Sequence, residues 1–214
     1  MDQKFLVVED FLPSGFAEEI YQYIKTRTSK NWDYYCKWGE EEKPVHFNTS
    51  YADTQKRKKL QPEITNSLQQ GEFTYTLKRL KKEWDAETPV GRLRRDLRDE
   101  EFLSFLSAVS GLEGLELTED FCSIYDEGDF LSIHPDPNFD IAFILNLSKD
   151  WKYEYGGCLT VFDREHPTVL LPKFNSLILL FLGEDGVDHY ISEVSSRAPD
   201  ARIAVSGWYD RKEK

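Results

Sequence analysis

After Leu115 the chain breaks into short β-prone runs: FCSIYD, DFLSI, DIAFILNLS, GGCLTVFD, TVLLP, NSLILLFL, DHYISEV and RIAVSGWYD. Gly, Pro, Asp and Asn separate them. Eight short strands with helices only upstream fit a double-sheet jelly roll or barrel, not a βαβ array, which needs a helix between successive strands. The expected class is mainly β with N-terminal helices.

Upstream, FLVVEDFLP followed by SGFAEEIYQYIKTR predicts a short strand, a turn and an amphipathic helix, with Ser14 as N-cap and acidic residues in its first turns. Residues 31–53 read as irregular and aromatic-rich, with a charged loop at KWGEEEKP. From Gln55 to Trp84 the pattern reads as helical, and its basic clusters QKRKKL and LKRLKKEW as solvated helix faces. DLRDEEFLSFLSAVSGL predicts a helix with Phe102, Phe105 and Leu106 on one stripe and Gly111 as its stop. A length of 214 residues suits a single domain 1–214, with 1–115 as a helical support region and 116–214 as the jelly-roll core.

A hydrophobic content of 40 % with 14 % aromatic residues argues for a packed core rather than disorder. MDQKFLVVEDFL lacks the long apolar run of a signal peptide, and no segment approaches the roughly 18 apolar residues of a membrane span. The expectation is a soluble cytoplasmic protein with no membrane partner. Cys36, Cys122 and Cys158 are odd in number and widely separated, so they are expected as buried thiols rather than a disulfide framework or a zinc site. Of the net charge of −12, residues 1–110 carry −1 and residues 111–214 carry −11. So acidic a second half argues against direct nucleic-acid binding there and suits a basic partner better.

Chemistry concentrates in LSIHPDPNFDIAFILN. Side chains alternate along a strand, so His134 and Asp136, two apart, can face one way. An imidazole and a carboxylate make two corners of a metal site, and only three other histidines could supply a third. His46 lies in the upstream region and His166 in DREHPT, a hairpin turn by composition. His189 begins a strand in DHYISEV and is the best candidate. Two histidines and one carboxylate on one face form the facial triad suited to non-haem Fe(II) and O₂. Arg202 stands inside the apolar strand RIAVSGWYD, where Arg202, Ala204, Ser206 and Trp208 share one face. Its planar fork either closes a buried salt bridge or anchors the carboxylate of a bound dicarboxylic acid.

The order Y-x-x-G-x-x-x-x-x-H-x-D from Tyr125, Gly128, His134 and Asp136, then His189, Arg202 and Trp208, resembles the Fe(II)- and 2-oxoglutarate-dependent dioxygenases, in their prolyl-hydroxylase branch. FDIAFILNLSKDWKYEYGGCLTVFD and HYISEVSSRAPDARIAVSGWYD resemble the prolyl hydroxylase-like enzymes that modify a ribosomal protein. The close likeness runs from about Leu97 to Asp210, with a weaker one at EDFLPSGFAEEI. It implies a double-stranded β-helix (jelly-roll, cupin-like) core. It also implies Fe(II) held by His134, Asp136 and His189, and 2-oxoglutarate held by Arg202 with Tyr125 as a second partner and Trp208 lining the pocket. O₂ would be the co-substrate, ascorbate an auxiliary reductant, and a prolyl residue in a protein the substrate. Gly156 and Gly157 match the family's paired glycines. Asp136, where a glycine or alanine would leave room for halide, implies hydroxylation rather than halogenation. HPDPNFD departs from the usual sequence after the aspartate, and the family's second, degenerate barrel is not expected in so short a chain. Two rivals stay open: hydroxylation of a free amino acid or other small metabolite, and a non-catalytic module that senses metal or carboxylate. Asp126, Glu127, Asp129, Asp140, Glu184, Asp185 and Asp188 are expected to border the pocket mouth and attract a basic polypeptide.

Overall fold

Alternation along the strands divides the apolar residues between two cores. The computed structural model describes residues 4–39, 41–43, 51–81, 87–163 and 166–212. In β7 (Ile141–Asn146), Ile141, Phe143 and Leu145 face the first core while Ala142 and Ile144 face the second. In β10 (Ser176–Phe181), Leu177 and Leu179 oppose Ile178 and Leu180 in the same way. Burial on both faces explains why these two segments read as unbroken apolar runs, each such side chain contributing ~1.5–3 kcal/mol.

All eight expected strands form. Besides β7 and β10 they are β5 (Leu115–Tyr125), β6 (Phe130–His134), β8 (Leu159–Asp163), β9 (His166–Leu170), β11 (His189–Ile191) and β12 (Arg202–Arg211). The upstream region is not purely helical, however. The short strand expected in FLVVEDFLP forms as β1 (Phe5–Val8), and β2 (Trp32–Trp38), β3 (Glu41–Lys43) and β4 (Tyr75–Leu80) join the same sheet without having been expected. Neighbours run β1-β10-β7-β12-β5-β4-β6-β11-β8-β9, with β2 on β4 and β3 on β2. Every pairing is antiparallel, and the sheet curls into the expected jelly roll.

The first core lies between β5, β7, β10 and β12 and the helices α1 (Ser14–Lys25), α3 (Pro89–Asp96) and α4 (Glu100–Ser110). Ala17, Ile20 and Ile24 come from α1, Val90 and Leu93 from α3, and Leu106 from α4. The second core fills the inside of the curl, where Tyr75 and Leu77 from β4 meet Val161 from β8 and Ile191 from β11. Asn175, buried at φ 58°, ties β10 to the entry of α1 by accepting from Leu12 N (2.9 Å) and donating to Leu12 O (2.7 Å).

Several sequence expectations change. The N-cap of α1 is Pro13, whose carbonyl accepts from Phe16 N and Ala17 N. Ser14 is already helical and the first turn holds no acidic residue. The span 31–53 is not irregular throughout, because WDYYCKW alternates Trp32, Tyr34 and Cys36 into the interior as β2. The helix α2 (Tyr51–Gln69) stops well before Trp84, and TYTLKRL becomes β4 because pairing with β2 along one edge and with β5 and β6 along the other buries Leu77 and Leu80. DLRDEEFLSFLSAVSGL holds a break, with Asp99 accepting from Glu101 N as the N-cap of α4 and Gly111 ending it at φ 74°. His46, Trp84 and part of KWGEEEKP lie outside the described residues. Cys36, Cys122 and Cys158 are buried and form no disulfide with one another, as expected. Among the described residues no helix is long and apolar enough to cross a membrane.

Candidate active site

The end of β6 and the start of β11 are hydrogen-bonded neighbours, with His134 directly opposite His189. Their ring centroids are 4.2 Å apart. Asp136 joins them by a different route from the strand alternation expected of H-x-D. It lies beyond β6 at φ 51°, a left-handed conformation that aspartate tolerates better than most residues, and this turn swings its carboxylate back toward the rings. The three ligand atoms lie within 4.8 Å of one another. Nε2 of His134 is 3.6 Å from Asp136 Oδ1, and Nε2 of His189 is 3.7 Å from Asp136 Oδ2.

Both rings are oriented by main-chain carbonyls, which can only accept. His134 Nδ1 therefore donates to Ser132 O (2.9 Å) and His189 Nδ1 to Val187 O (2.7 Å), leaving both Nε2 lone pairs turned toward the carboxylate. Burial, reinforced by the electrostatic influence of the adjacent His134, pulls the pKa of His189 down to about 4, so its imidazole is in the neutral, ligand-competent form at neutral pH. Phe73 stacks on His134 with centroids 4.6 Å apart. Trp208 Nε1 donates to Asp136 Oδ2 (2.8 Å), and its ring stacks on Phe139 at 5.0 Å. Gly186 closes the loop before His189 over Pro135. A Cβ there would stand 2.1 Å from the Pro135 carbonyl oxygen, which instead accepts from Val187 N (2.8 Å).

These groups open into a cavity of about 320 Å³ that also contains Arg202 and Tyr125. Arg202 is 1 % exposed and sits opposite Tyr125 in the β5–β12 register, its guanidinium carbon 5.0 Å from the tyrosine ring centre. Nη2 donates to Asn146 Oδ1 (3.2 Å), whereas Nε has no partner. Burial lowers the Arg202 pKa, and among the described residues no carboxylate offsets it. The buried salt bridge considered from sequence is therefore not what this arginine makes. Gly157, at φ 63°, lets the chain pass close by, since a Cβ there would meet Arg202 Cδ at 3.0 Å.

Of the other histidines, His166 is exposed at the start of β9, across from Asp163 and away from the cavity. None of the seven acids expected at the mouth lines it. Asp126 pairs with Lys78, Asp129 is buried and accepts from Tyr34 Oη, and Asp140 is buried against Arg211. Charge counted along a chain cannot distinguish such paired carboxylates from free ones. The sequence reading missed Phe73, Arg79, Glu119 and Asn146. Of these only Arg79 carried a signal, as one of the cations in LKRLKK once that segment is taken as a strand of period two.

Two imidazoles and one carboxylate converging on a point, beside a buried arginine that lacks an anion, fit an Fe(II) ion with a dicarboxylate cosubstrate. Comparison with known proteins agrees. Residues 121–210 match the 2OG-Fe(II) oxygenase superfamily. Prolyl 3-hydroxylase sudestada1 of Drosophila melanogaster is 32 % identical over 103 residues, covering 41 % of this chain and 19 % of that protein. Prolyl 3-hydroxylase OGFOD1 of Mus musculus is 34 % identical over 97 residues, covering 41 % and 17 %. The match thus spans less than a fifth of these relatives. A prolyl hydroxylase from Trichoplax adhaerens, solved with a peptide fragment of the hypoxia inducible factor oxygen degradation domain, shares the fold. Its TM-score is 0.64 at 16 % identity, covering 98 % of this chain and 84 % of that one. The viral collagen prolyl hydroxylase of Paramecium Bursaria Chlorella virus-1, in its 2OG complex, gives 0.53 at 13 % identity, covering 99 % and 97 %.

Proposed function

We propose, from a chain whose residues 121–210 are 2OG-Fe(II) oxygenase in sequence, that the protein is an Fe(II)- and 2-oxoglutarate-dependent dioxygenase that hydroxylates a prolyl residue in a protein. The observation that carries this reading is the unpaired, buried Arg202 in one cavity with His134, Asp136 and His189. When bound, Fe(II) with 2-oxoglutarate and O₂ supplies the oxidation, in which loss of CO₂ and formation of succinate accompany insertion of one oxygen atom into a C–H bond.

The chain's own residues do the positioning. His134, Asp136 and His189 would hold the metal. Trp208 orients the Asp136 carboxylate by donating to Oδ2. Arg202 offers its fork to the distal carboxylate, with the Tyr125 hydroxyl as a second contact. Phe73, Leu131 and Phe139 exclude water from the rest of the cavity, which strengthens every charged contact inside it. The prolyl substrate is supported by the names of the two relatives and by the peptide bound in the Trichoplax neighbour. Ascorbate as auxiliary reductant and a cytoplasmic setting belong to the same proposal, the latter in keeping with three buried cysteines and no disulfide among them.

The test is anaerobic loading with Fe(II) and 2-oxoglutarate, then O₂, with succinate and peptide-bound oxygen read by mass spectrometry. His189→Ala should retain the fold and lose succinate formation. Unchanged turnover in His189→Ala would remove the triad assignment, and metal and 2-oxoglutarate binding without any succinate would make the protein a sensor.

A further inference from the structure

The triad cavity does not end at the protein surface alone. It shares Arg79, Glu119 and Phe121 with a second cavity of about 450 Å³, walled by Asp33, Lys81, Arg94 and Asp120. Arg79 is the sill between the two. Strand alternation along β4 places Tyr75, Leu77 and Arg79 on the cavity side, and β5 faces it with Glu119, Phe121 and Tyr125. The guanidinium lies against two rings, 3.9 Å from the Phe121 centroid and 4.8 Å from that of Tyr35. These contacts fix its plane but satisfy none of its N–H donors. Nε is buried with no partner, and Nη1 lies 3.7 Å from Glu119 Oε1, on a side chain 55 % exposed and the one carboxylate paired with Arg79 among the described residues. That separation is beyond hydrogen-bonding length.

The remaining charges of the second cavity are already matched. Lys81 lies 3.5 Å from Asp33, and Arg94 2.9 Å from Asp120. With three cations and three anions around it, the cavity selects neither a basic nor an acidic side chain. What it offers in surplus is an oriented set of donors on Arg79 and an acceptor on Glu119, side by side. Main-chain carbonyls and N–H groups of an extended strand present that pair of functions, whatever the side chains.

We propose that Arg79 is a substrate-positioning residue. A polypeptide crosses the sill with its target residue in the triad cavity and one flank in the second, and Arg79 donates to main-chain carbonyl oxygens of that flank. Recognition is then of an extended backbone rather than of basic side chains. This rests on the hydroxylase reading above and sharpens its substrate.

The probes are proline-containing peptides of about 12 residues, long enough at ~3.3 Å per residue to span both cavities, with N-acetylprolinamide as a probe that fills only the first. Wild type, Arg79→Gln and Arg79→Lys are compared by initial rate of oxygen incorporation, with thermal melting as the check on folding and 2-oxoglutarate titration of the Mn(II) protein as the check on the cosubstrate site. Arg79→Gln should raise the peptide KM by about tenfold or more, the size of a lost charged hydrogen bond, with kcat little altered. The KM for N-acetylprolinamide and the 2-oxoglutarate affinity should move by less than about twofold on the same scale. Arg79→Lys should recover part of the loss, because charge returns without the fork. Equal losses on the long and short probes, or an unchanged peptide KM, would overturn the proposal. Wild-type protein that binds 2-oxoglutarate but hydroxylates neither probe would count against the hydroxylase reading instead.

Discussion

Replacing Arg202 by methionine should leave the stability of the fold little changed while sharply weakening the affinity for cosubstrate. In the free protein the guanidinium is fully buried, with one neutral partner at 3.2 Å and an orphaned Nε. Its removal relieves a desolvation cost of several kcal/mol. The same change forfeits the bond to Asn146 and leaves Oδ1 of that side chain unsatisfied, a loss of about 1–3 kcal/mol. These effects oppose each other, so Arg202→Met should change unfolding free energy by no more than about 2 kcal/mol. Breaking a buried salt bridge would instead cost ~3–5 kcal/mol.

Cosubstrate binding should respond far more. Two charge-assisted hydrogen bonds to a carboxylate contribute ~1.5–3 kcal/mol each, so losing both weakens binding by at least about a hundredfold. Arg202→Lys, which keeps charge and one contact, should lose ~10–100-fold. Thermal melting of the Mn(II) protein reads both quantities. At 2-oxoglutarate a hundredfold above its wild-type Kd, binding stabilises by about 2.7 kcal/mol, which falls to about 0.4 kcal/mol when Kd rises a hundredfold. For a chain of this size the melting shift should shrink from roughly 5–10 °C to about 1 °C. Mn(II) binding itself should survive, as Arg202 is not among the three grouped ligand residues. A ligand-free Arg202→Met protein that is 3–5 kcal/mol less stable and still gives the full shift would return Arg202 to a structural role.

Other substitutions test the supports around the site. Gly157→Ala must adopt φ 63° and press on Arg202 Cδ, so it should cost at least about 1–2 kcal/mol in urea unfolding and also weaken 2-oxoglutarate. Gly156→Ala, whose Cβ would lie 1.9 Å from the Glu193 carbonyl oxygen, should be the more damaging of the two in the same assay. Trp208→Phe keeps the stack on Phe139 but loses the donor to Asp136, and should weaken Mn(II) by about 10–100-fold in titration. Tyr209→Phe leaves the buried Leu97 carbonyl without its donor and should cost about 1–3 kcal/mol in urea unfolding.

What the sequence disclosed followed from how locally each feature was determined. The eight strands after Leu115 were legible because each run is bounded by turn residues and packs in order, and the His134, Asp136 and His189 cluster because so few histidines compete for the role. β4 was not legible, since Lys78, Arg79 and Lys81 suit an exposed helix as well as a strand, and only pairing with β2, β5 and β6 decides. The turn at Asp136 escaped a strand-alternation argument because φ 51° is held by the Pro135–Val187 contact, which is remote in sequence. Which of the acids expected at the mouth are paired was hidden for the same reason: Asp140 meets Arg211 only in the folded chain.

That division falls along a functional line. The groups assigned to metal and cosubstrate all come from within residues 121–210, the stretch matching the superfamily. Phe73 against His134, and Tyr35, Arg79 and Glu119 around the sill, all precede it. A core held by metal and cosubstrate chemistry tolerates little variation in those ligands, whereas the wall that meets the substrate can change with the substrate. The upstream half is thus more than support for the barrel. It contributes through β4, with Tyr35 of β2 at the second cavity, the wall on which the proposed contact of Arg79 with substrate lies, so a family likeness confined to residues 121–210 leaves out the residue on which that proposal turns.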